Sequence, residues 1–259
     1  MKKILSLLIV ISASVATVQA QHSKHHPKDS SKIANTPEVK KDWSKEDLNK
    51  RPADHFVMQF GYDGWTGTPD SVRTTGFGRH FNFYVMIDKP MKTNPHISLA
   101  YGGGIGSSNI YFDHVNVNLA GTGSTLPFTD ASTSGNHFKK MKLTTIFLEL
   151  PAEIRYYEHP ENKTTGWKAS VGVKLGLLLK SYTKGKDLQD ASGNSIYGSS
   201  YIEKVSVNRF LNPYKASVTA RVGYGFVSLH GDFNVLGVVK SGAGPTLNNY
   251  SIGVSLGGL

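Results

Sequence analysis

Strict alternation of apolar and polar side chains over residues 167–180 limits the possible folds of this chain more than any other feature. Apolar residues occupy the odd positions from Trp167 to Leu179, and polar or small residues occupy the even positions, with Leu178 as the exception. Successive side chains of a β-strand point to opposite faces, so this pattern predicts one long strand with a single apolar face.

The same alternation recurs along most of the chain after residue 55. Clear versions cover residues 142–157, 214–224, 227–235 and 250–256, and weaker versions cover residues 56–63, 77–88 and 97–112. With the first strand, these segments predict eight strands. The high content of Gly (27), Tyr (12) and Phe (12) also favours an all-β chain.

The predicted connections between these strands alternate in length. Residues 63–76, 113–141, 183–212 and 237–248 form long connections, whereas residues 89–95, 158–166 and 223–225 form short ones. Long polar loops at one end and tight turns at the other are typical of bacterial outer-membrane barrels. An even number of strands also places both termini at the short-turn end, which is the periplasmic side.

Alternation alone does not say which face of the barrel is inside. A soluble periplasmic carrier of the calycin type, binding a small ligand, would bury the apolar row from Val171 to Leu179, whereas a membrane barrel would turn that row toward lipid. Strands of 11 to 16 residues are long enough to cross a bilayer at a tilt, since about 9 to 11 residues suffice. Strand length therefore favours the membrane barrel.

Glycines and aromatic residues support the same choice. Glycine recurs on the polar faces, where it suits the crowded lumen of an eight-stranded barrel; these positions are Gly102, Gly104, Gly106, Gly172, Gly176 and Gly223. Tyr214 and Tyr224 share a face ten residues apart, a rise of about 23 Å in a tilted strand. That rise is close to the apolar band of about 25 Å between aromatic girdles, to which Trp167 and Tyr250 would also belong.

The N-terminal part of the chain predicts export. Lys2 and Lys3 precede a short apolar stretch over residues 4–16, and a small-residue cleavage site ends near Ala20. Residues 21–54 are polar and predict a disordered or weakly helical periplasmic extension. We therefore expect a signal peptide over residues 1–20, a flexible extension over residues 21–54, and an eight-stranded antiparallel up-and-down transmembrane β-barrel over residues 55–259.

Composition excludes several classes of function. The chain has no Cys, which excludes disulfides, Cys-based zinc sites and thiol nucleophiles. Lys and Arg outnumber Asp and Glu by 29 to 19, giving a formal net charge of +10. No basic helix or nucleic-acid motif accompanies this charge, so no nucleic-acid partner is expected.

Charged residues gather on the polar faces of the predicted strands. They are Glu149, Glu153 and Arg155 on one strand, Lys168, Lys174 and Lys180 on the next, and Arg221, His230 and Asp232 on later strands. A hairpin centred near Asn162 would bring Glu149 and Glu153 close to Lys174. Because an unpaired buried charge is costly, we expect these groups to pair structurally in a narrow lumen. A proton or ion path is the alternative interpretation.

No catalytic, cofactor or metal site is predicted. Ser228, His230 and Asp232 share one strand face, but neighbours on that face lie about 6.6 Å apart along the strand. A nucleophile and its base need hydrogen-bond contact, and a lumen site would not reach lipid. An outer-membrane lipid-modifying enzyme remains an alternative, although we find no suitable lipid-facing set. The histidines of residues 22–26 are expected to belong to a solvated terminus.

Three segments of the sequence resemble a known family. The segment Phe147-Leu148-Glu149-Leu150-Pro151-Ala152-Glu153-Ile154-Arg155-Tyr156 looks like a characteristic strand of PorT-like outer-membrane β-barrel proteins of Bacteroidota. Residues 211–226 and 244–254 are similar to the C-terminal part and closing hairpin of that family. The resemblance covers about residues 55–259 and implies an outer-membrane location and a barrel architecture.

The expected role follows from this resemblance and from the narrow lumen. We expect a protein of structural, adhesion or assembly type with long extracellular loops, and one family member is tied to protein secretion. Expected partners are outer-membrane lipids, lipopolysaccharide and the barrel-insertion machinery. The chain ends Gly257-Gly258-Leu259, whereas such barrels usually end in an aromatic residue that the insertion machinery recognises.

Overall fold

The structure is a computed structural model that describes residues 55–70, 72–75, 78–130 and 135–257. The strands in these ranges are β1 (Phe56–Thr66), β2 (Gly78–Pro90), β3 (Ile97–Phe112), β4 (Val115–Val117), β5 (Phe128–Asp130), β6 (His137–Tyr157), β7 (Trp167–Gln189), β8 (Ile202–Val205), β9 (Tyr214–Tyr224), β10 (Val227–Asn234) and β11 (Asn248–Gly257). The same ranges hold no helix long and apolar enough to cross a membrane. The predicted signal peptide, the predicted extension and the histidines of residues 22–26 lie outside the described residues.

Eight strands close into a ring through antiparallel pairing. The order around the ring is β1, β2, β3, β6, β7, β9, β10 and β11, and β11 pairs with β1. Neighbours in the ring are also neighbours along the chain among the long strands, which confirms the predicted up-and-down barrel. A closed ring pairs the strand backbone internally, and this is what allows β-structure to exist in lipid.

The connections alternate in length as predicted. Residues 67–77, 113–136, 190–213 and 235–247 connect strands at one end, and residues 91–96, 158–166 and 225–226 connect them at the other. The two-residue turn after β9 begins with Gly225 at φ 59°, the glycine position of a type II′ hairpin turn. β6 and β7 run further into the predicted loops than the alternation indicated, and β8 pairs with this extension of β7.

Apolar side chains on the ring strands face outward and polar ones face the lumen. Val171 and Leu175 are 61% and 57% exposed, whereas Lys174 is 2% exposed. On β9, Val222 is exposed and Arg221 is buried. The predicted orientation is therefore confirmed. The calycin-like carrier is wrong for this chain, because its ligand cavity would have to be lined by the row that the structure places outside.

Aromatic side chains mark both ends of the outer face. Trp167 and Tyr224 contact each other at the short-turn end, with ring centroids 5.9 Å apart. Tyr214 lies at the other end, opposite Leu177. The row from Trp167 to Leu179 spans twelve residues, which is about 28 Å in a strand tilted at 45°. The length of this row matches the thickness of a membrane-facing band. Tyr250, which was also predicted to belong to an aromatic girdle, is half-buried.

A β-bulge in β7 shifts the alternation near the loop end. Leu178 pairs with Phe147 and Lys180 pairs with Ile146, which leaves Leu179 as the extra residue. Leu178 consequently stays on the inward face, and both Leu179 and Lys180 are exposed. The expectation that Lys180 lies on the lumen face is wrong, because the bulge reverses the direction of every side chain that follows it.

The long connections fold into an apolar cap over the loop end of the barrel. The buried core of this cap consists of Val72, Ile110, Phe112, Val115, Val117, Leu119, Leu126, Met141, Leu143, Phe210, Leu211, Val239 and Leu247. Leu119, Phe210 and Leu247 come from three different connections, and they pack with Leu143 from β6. The prediction of long polar loops missed this core, which closes one end of the lumen.

Candidate functional site

The lumen below the cap is the candidate functional site, because inward-facing positions of all eight ring strands supply it with polar side chains. Glycines make room for the long ones, as predicted. A Cβ at Gly106 would lie 2.7 Å from a carboxylate oxygen of Glu149, and a Cβ at Gly172 would lie 2.9 Å from Cγ of Glu153. Any larger residue at either position would therefore displace a charged side chain, and at Gly172 its Cβ would also clash with the backbone oxygen of Ala152.

Glu149, near the middle of β6, accepts hydrogen bonds from two residues. The Tyr84 hydroxyl donates to Glu149 Oε2, and Lys215 Nζ lies 2.8 Å from Glu149 Oε1. Glu149 is 1% exposed. The charged network predicted from the sequence included neither Lys215 nor Tyr84.

Glu153 lies between two arginines one layer closer to the short turns. Its Oε2 accepts from Arg155 Nε at 3.0 Å and from Arg221 Nη2 at 2.5 Å, and Arg221 Nε also donates to Ser170 Oγ at 3.2 Å. In the β6–β7 hairpin, Glu153 lies opposite Gly172. This register agrees with the predicted hairpin centre near Asn162, and the expected pairing of these charges is confirmed.

Lys174 is the centre of a second group of polar contacts in the lumen. Its Nζ forms an ion pair with Asp232 Oδ1 at 2.9 Å and donates to Gln59 Oε1 at 2.9 Å. Gln59 Oε1 also accepts from Asn82 Nδ2 at 3.2 Å. Lys174 and Asp232 were predicted members of this network, whereas Gln59 and Asn82 on β1 and β2 were missed.

Two histidines lie edge to face beside this group. His80 Nε2 and His230 Nε2 are 2.9 Å apart, so one of the two nitrogens must carry the proton and the other must accept it. His80 Nδ1 lies 2.8 Å from Asp63 Oδ1, although the contact is poorly aligned for a hydrogen bond. A bare lone pair facing a carboxylate would be repelled, which places a proton on His80 Nδ1.

The tautomers of the pair then follow from the hydrogen-bond chain. We assign His230 Nε2 as the donor and His80 Nε2 as the acceptor, which leaves His230 Nδ1 to accept from Ser255 Oγ at 3.1 Å. Ser255 in turn accepts from Gln59 Nε2 at 3.0 Å. Asp63 is held by the hydroxyls of Ser108 and Ser251. The chain therefore connects the histidines to the Lys174 group.

The short-turn end of the lumen is also closed. Lys163 in the β6–β7 turn reaches Asp88 on β2, and the two side chains are 3% and 0% exposed. The Lys163 ammonium also lies 5.2 Å from the centre of the Tyr157 ring. Two small spaces in the lumen have volumes of about 30 and about 10 Å³. Spaces of that size hold about one or two water molecules.

Residues 58–242 match the family described as outer membrane protein beta-barrel domain, which is well over half of the chain. The protein belongs to the outer-membrane β-barrel family. No curated protein matches the chain. Membership of this family agrees with the outward apolar band and establishes the protein as an outer-membrane barrel. The matched residues include the strands that carry Glu149, Glu153 and Lys174.

In the described part of the chain, Ser228, His230 and Asp232 are not joined to one another by hydrogen bonds. His230 Nε2 lies 4.0 Å from Asp232 Oδ2, and the hydroxyl bonded to His230 Nδ1 belongs to Ser255. All of these groups face the filled lumen, away from the lipid. Across the residues that the structure describes, no group of three or more His, Asp or Glu is placed to hold a metal ion.

Proposed function

We propose that this outer-membrane barrel is a PorT-like structural, adhesion or assembly protein of a Bacteroidota cell envelope, without enzymatic activity. The closed lumen carries the proposal. A cap with an apolar core fills one end, the Lys163–Asp88 pair fills the other, and paired charges occupy the space between them. With no route through the barrel, its work must be done on the outer surfaces.

The loop end is the surface that we assign to this role. Its cap is folded, and exposed apolar residues lie on the connection after β7, where Ile196 and Tyr197 are 41% and 66% exposed. Tyr197 contacts Tyr201, with ring centroids 5.0 Å apart. A folded apolar tip on an otherwise lysine-rich end is a suitable contact surface for another macromolecule.

A role in protein secretion is a second candidate, favoured by the resemblance of residues 147–156 to PorT-like proteins. The filled lumen makes passage of a secreted chain through this barrel impossible without unfolding it. A secretion role would therefore use the cap or the lipid-facing wall as a docking surface. The barrel-insertion machinery and the outer-membrane lipids are the partners that we propose for its assembly.

Orientation is tested first by cysteine labelling, for which the Cys-free sequence is well suited. Ser199→Cys places a thiol in the connection after β7, and Glu161→Cys places one in the β6–β7 turn; both positions are exposed. A membrane-impermeant maleimide should label Ser199→Cys on intact cells and Glu161→Cys only after the outer membrane is permeabilised. The reverse pattern would contradict the proposed orientation.

The role of the loop end is tested by changing its exposed tip without changing the barrel. The double variant Ile196→Ser/Tyr197→Ser should reduce attachment of the cells to surfaces or their envelope integrity. The matched variant His159→Ser/Glu161→Ser changes two exposed residues at the opposite end and should leave both properties unchanged. Equal phenotypes for the two variants would contradict a role for the tip.

A further inference from the structure

Six lysines share the outer side of the extension formed by β6, β7 and β8 beyond the bulge. We call this surface the lysine face, and it consists of Lys140, Lys142, Lys180, Lys184, Lys186 and Lys204. The inward positions of the same segment, such as Thr183 and Asp187, are buried. The lysines therefore lie on the continuation of the lipid-facing surface.

The strand register places like charges directly opposite each other. Lys140 pairs with Lys186 and Lys142 pairs with Lys184 across β6 and β7, and Lys184 also pairs with Lys204 across β7 and β8. Like charges in directly opposite positions destabilise a sheet. An anion lying against these lysines would reduce this repulsion. Lys142 is partly held in place already, because its Nζ donates to Asn109 Oδ1 at 2.9 Å.

The carboxylates of this segment do not neutralise the lysine face. Asp187 points inward, where it receives hydrogen bonds from Ser195 and Gln189 and contacts Lys139. Glu203 lies opposite Gly185, on the other side of the sheet from Lys204. Within the described ranges, Lys140, Lys180, Lys184 and Lys186 have no carboxylate in ion-pair contact. Their charges are open to a ligand.

The height of the lysine face places it at the surface of the lipid. Leu179 is the last residue of the apolar row, and Lys180 follows it immediately. Lys184 and Lys186 are five and seven residues beyond Leu179, which is about 12 to 16 Å in a strand tilted at 45°. This height rests on the proposed function, in which the loop end faces outward. Headgroups extend about 5–7 Å beyond the hydrocarbon of a leaflet, so Lys180 lies at the headgroups, and Lys184 and Lys186 lie above them and reach the phosphates with long side chains directed toward the membrane.

One aromatic and one aliphatic side chain complete the surface. Lys204 Nζ lies 4.2 Å from the centre of the Tyr182 ring, so this tyrosine lies among the ammonium groups. Ile202 lies opposite Lys186 and is 49% exposed. A surface with cations above an apolar row fits an amphiphile that has anionic groups above acyl chains.

We propose that the lysine face binds the phosphates of a phosphorylated glycolipid of the lipid A type in the outer leaflet. The ammonium groups of Lys184 and Lys186 meet the phosphates, and Lys180 meets the glycolipid at the edge of the hydrocarbon. The acyl chains pack along Leu179 and the apolar row below it. Binding of the anion relieves the repulsion between opposite lysines.

Binding of lipid A to the purified full chain tests the proposal. The chain is folded in a zwitterionic detergent and titrated with bisphosphorylated lipid A, phosphate-free lipid A, phosphatidylcholine or inorganic phosphate, and bound lipid is counted by native mass spectrometry. The variant Lys184→Gln/Lys186→Gln should weaken lipid A binding about 30-fold, because each lysine at an anionic membrane surface contributes about fivefold.

The matched control removes the same charge from the other end of the barrel. Lys89 and Lys92 are exposed near the β2–β3 turn, so Lys89→Gln/Lys92→Gln should bind lipid A as the unmodified chain does. Retained heat-modifiable mobility on a gel shows that each variant is folded. Equal affinities of the two double variants, or equal binding of phosphate-free lipid A, would overturn the proposal.

Inorganic phosphate distinguishes a lipid site from a simple anion site. Displacement of lipid A by equimolar inorganic phosphate would also overturn the assignment, because it would show that the acyl chains contribute nothing. Both ends of the barrel are accessible in detergent. Lipid binding therefore tests the lysine face alone, whereas maleimide labelling of cells tests the proposed orientation.

Discussion

Glu153 is the residue on which the charge balance of the inner lumen depends most directly. It is buried between Arg155 and Arg221 and accepts from both guanidinium groups. Glu153→Gln leaves two buried arginines without their shared carboxylate, and breaking a buried ion pair costs about 3–5 kcal/mol. We expect the free energy of unfolding to fall by that amount, measured by denaturant titration of the barrel in lipid vesicles.

The control for this change is a glutamate of the same chain outside the lumen. Glu161 is exposed in the β6–β7 turn, where its Oε1 lies 3.9 Å from His159 Nδ1. Surface pairs contribute about 0–1 kcal/mol, so Glu161→Gln should leave the unfolding midpoint almost unchanged. If both variants unfold at the same denaturant concentration, the lumen pair does not stabilise the barrel.

At the scale of single residues, the sequence predicted those lumen groups that lie on strongly alternating strands. Glu149, Glu153 and Lys174 lie on such strands and point where the alternation placed them. Asp63 and His80 were missed because β1 and β2 alternate less clearly. Tyr84 and Met86 are large and apolar, yet both face inward on β2. The inward face of β2 therefore does not stand out as polar in the sequence.

At the scale of single elements, β7 supplies the sharpest test of which face meets lipid. Val173 is exposed in the middle of the outward row. Val173→Asp would place a charge near the middle of the bilayer, which costs up to about 2–4 kcal/mol for Lys or Arg and less for Asp. We expect this variant to assemble poorly, with a reduced heat-modifiable fraction in the outer membrane.

The same substitution above the membrane provides the comparison. Ile196 is exposed in the connection after β7, beyond the apolar row. Ile196→Asp should assemble as the unmodified chain does, because its charge lies in water. Normal insertion of Val173→Asp would show that the face assignment of β7 is wrong.

The cap is the second element whose contribution can be isolated. Phe210 is 1% exposed in the cap core, and truncating a buried Phe to Ala costs about 3–5 kcal/mol. Phe210→Ala should loosen the connections without opening the ring, because the strand pairing lies below them. Trypsin should then cut faster at Arg209 and Lys240, while heat-modifiable mobility is kept.

An exposed aromatic residue of the same connection provides the control for the loss of buried packing. Tyr197 is 66% exposed, so Tyr197→Ala removes an aromatic side chain without leaving a cavity. Its trypsin cleavage rate should equal that of the unmodified chain. If trypsin cuts Phe210→Ala no faster than the unmodified chain, the cap core does not stabilise the loops.

Elements were predictable where the alternation was regular, and unpredictable where one residue or one distant contact changed it. The bulge at Leu179 adds a single residue to β7 and reverses the direction of Lys180, and the break in the alternation at Leu178 is too small a signal to predict it. The cap core joins Leu119, Phe210 and Leu247, which are far apart in sequence. Loop composition alone does not reveal such contacts, because each connection contributes only a few apolar residues.

At the scale of the whole molecule, closure of the ring is the condition for stability in a membrane. The pairing of β1 with β11 and of β6 with β7 leaves no open edge among the eight ring strands, as a membrane requires. Eight strands leave a lumen that side chains just fill. The barrel fold and membership of the outer-membrane β-barrel family were therefore predictable from the sequence, whereas the closing of both ends required the structure.

The closed lumen makes a direct prediction about conductance. The purified chain should show no steady current in planar bilayers, since the cap, the Glu153 layer and the Lys163–Asp88 pair block the path in series. Replacing residues 118–127 of the cap by a short Gly/Ser linker should leave the barrel closed, because the other two layers remain. A larger barrel with an aqueous lumen would serve as the conducting control. A steady current through the unmodified chain would contradict the closed lumen. A current that appears only in the linker variant would show that the charged layers do not block ions once the cap is weakened.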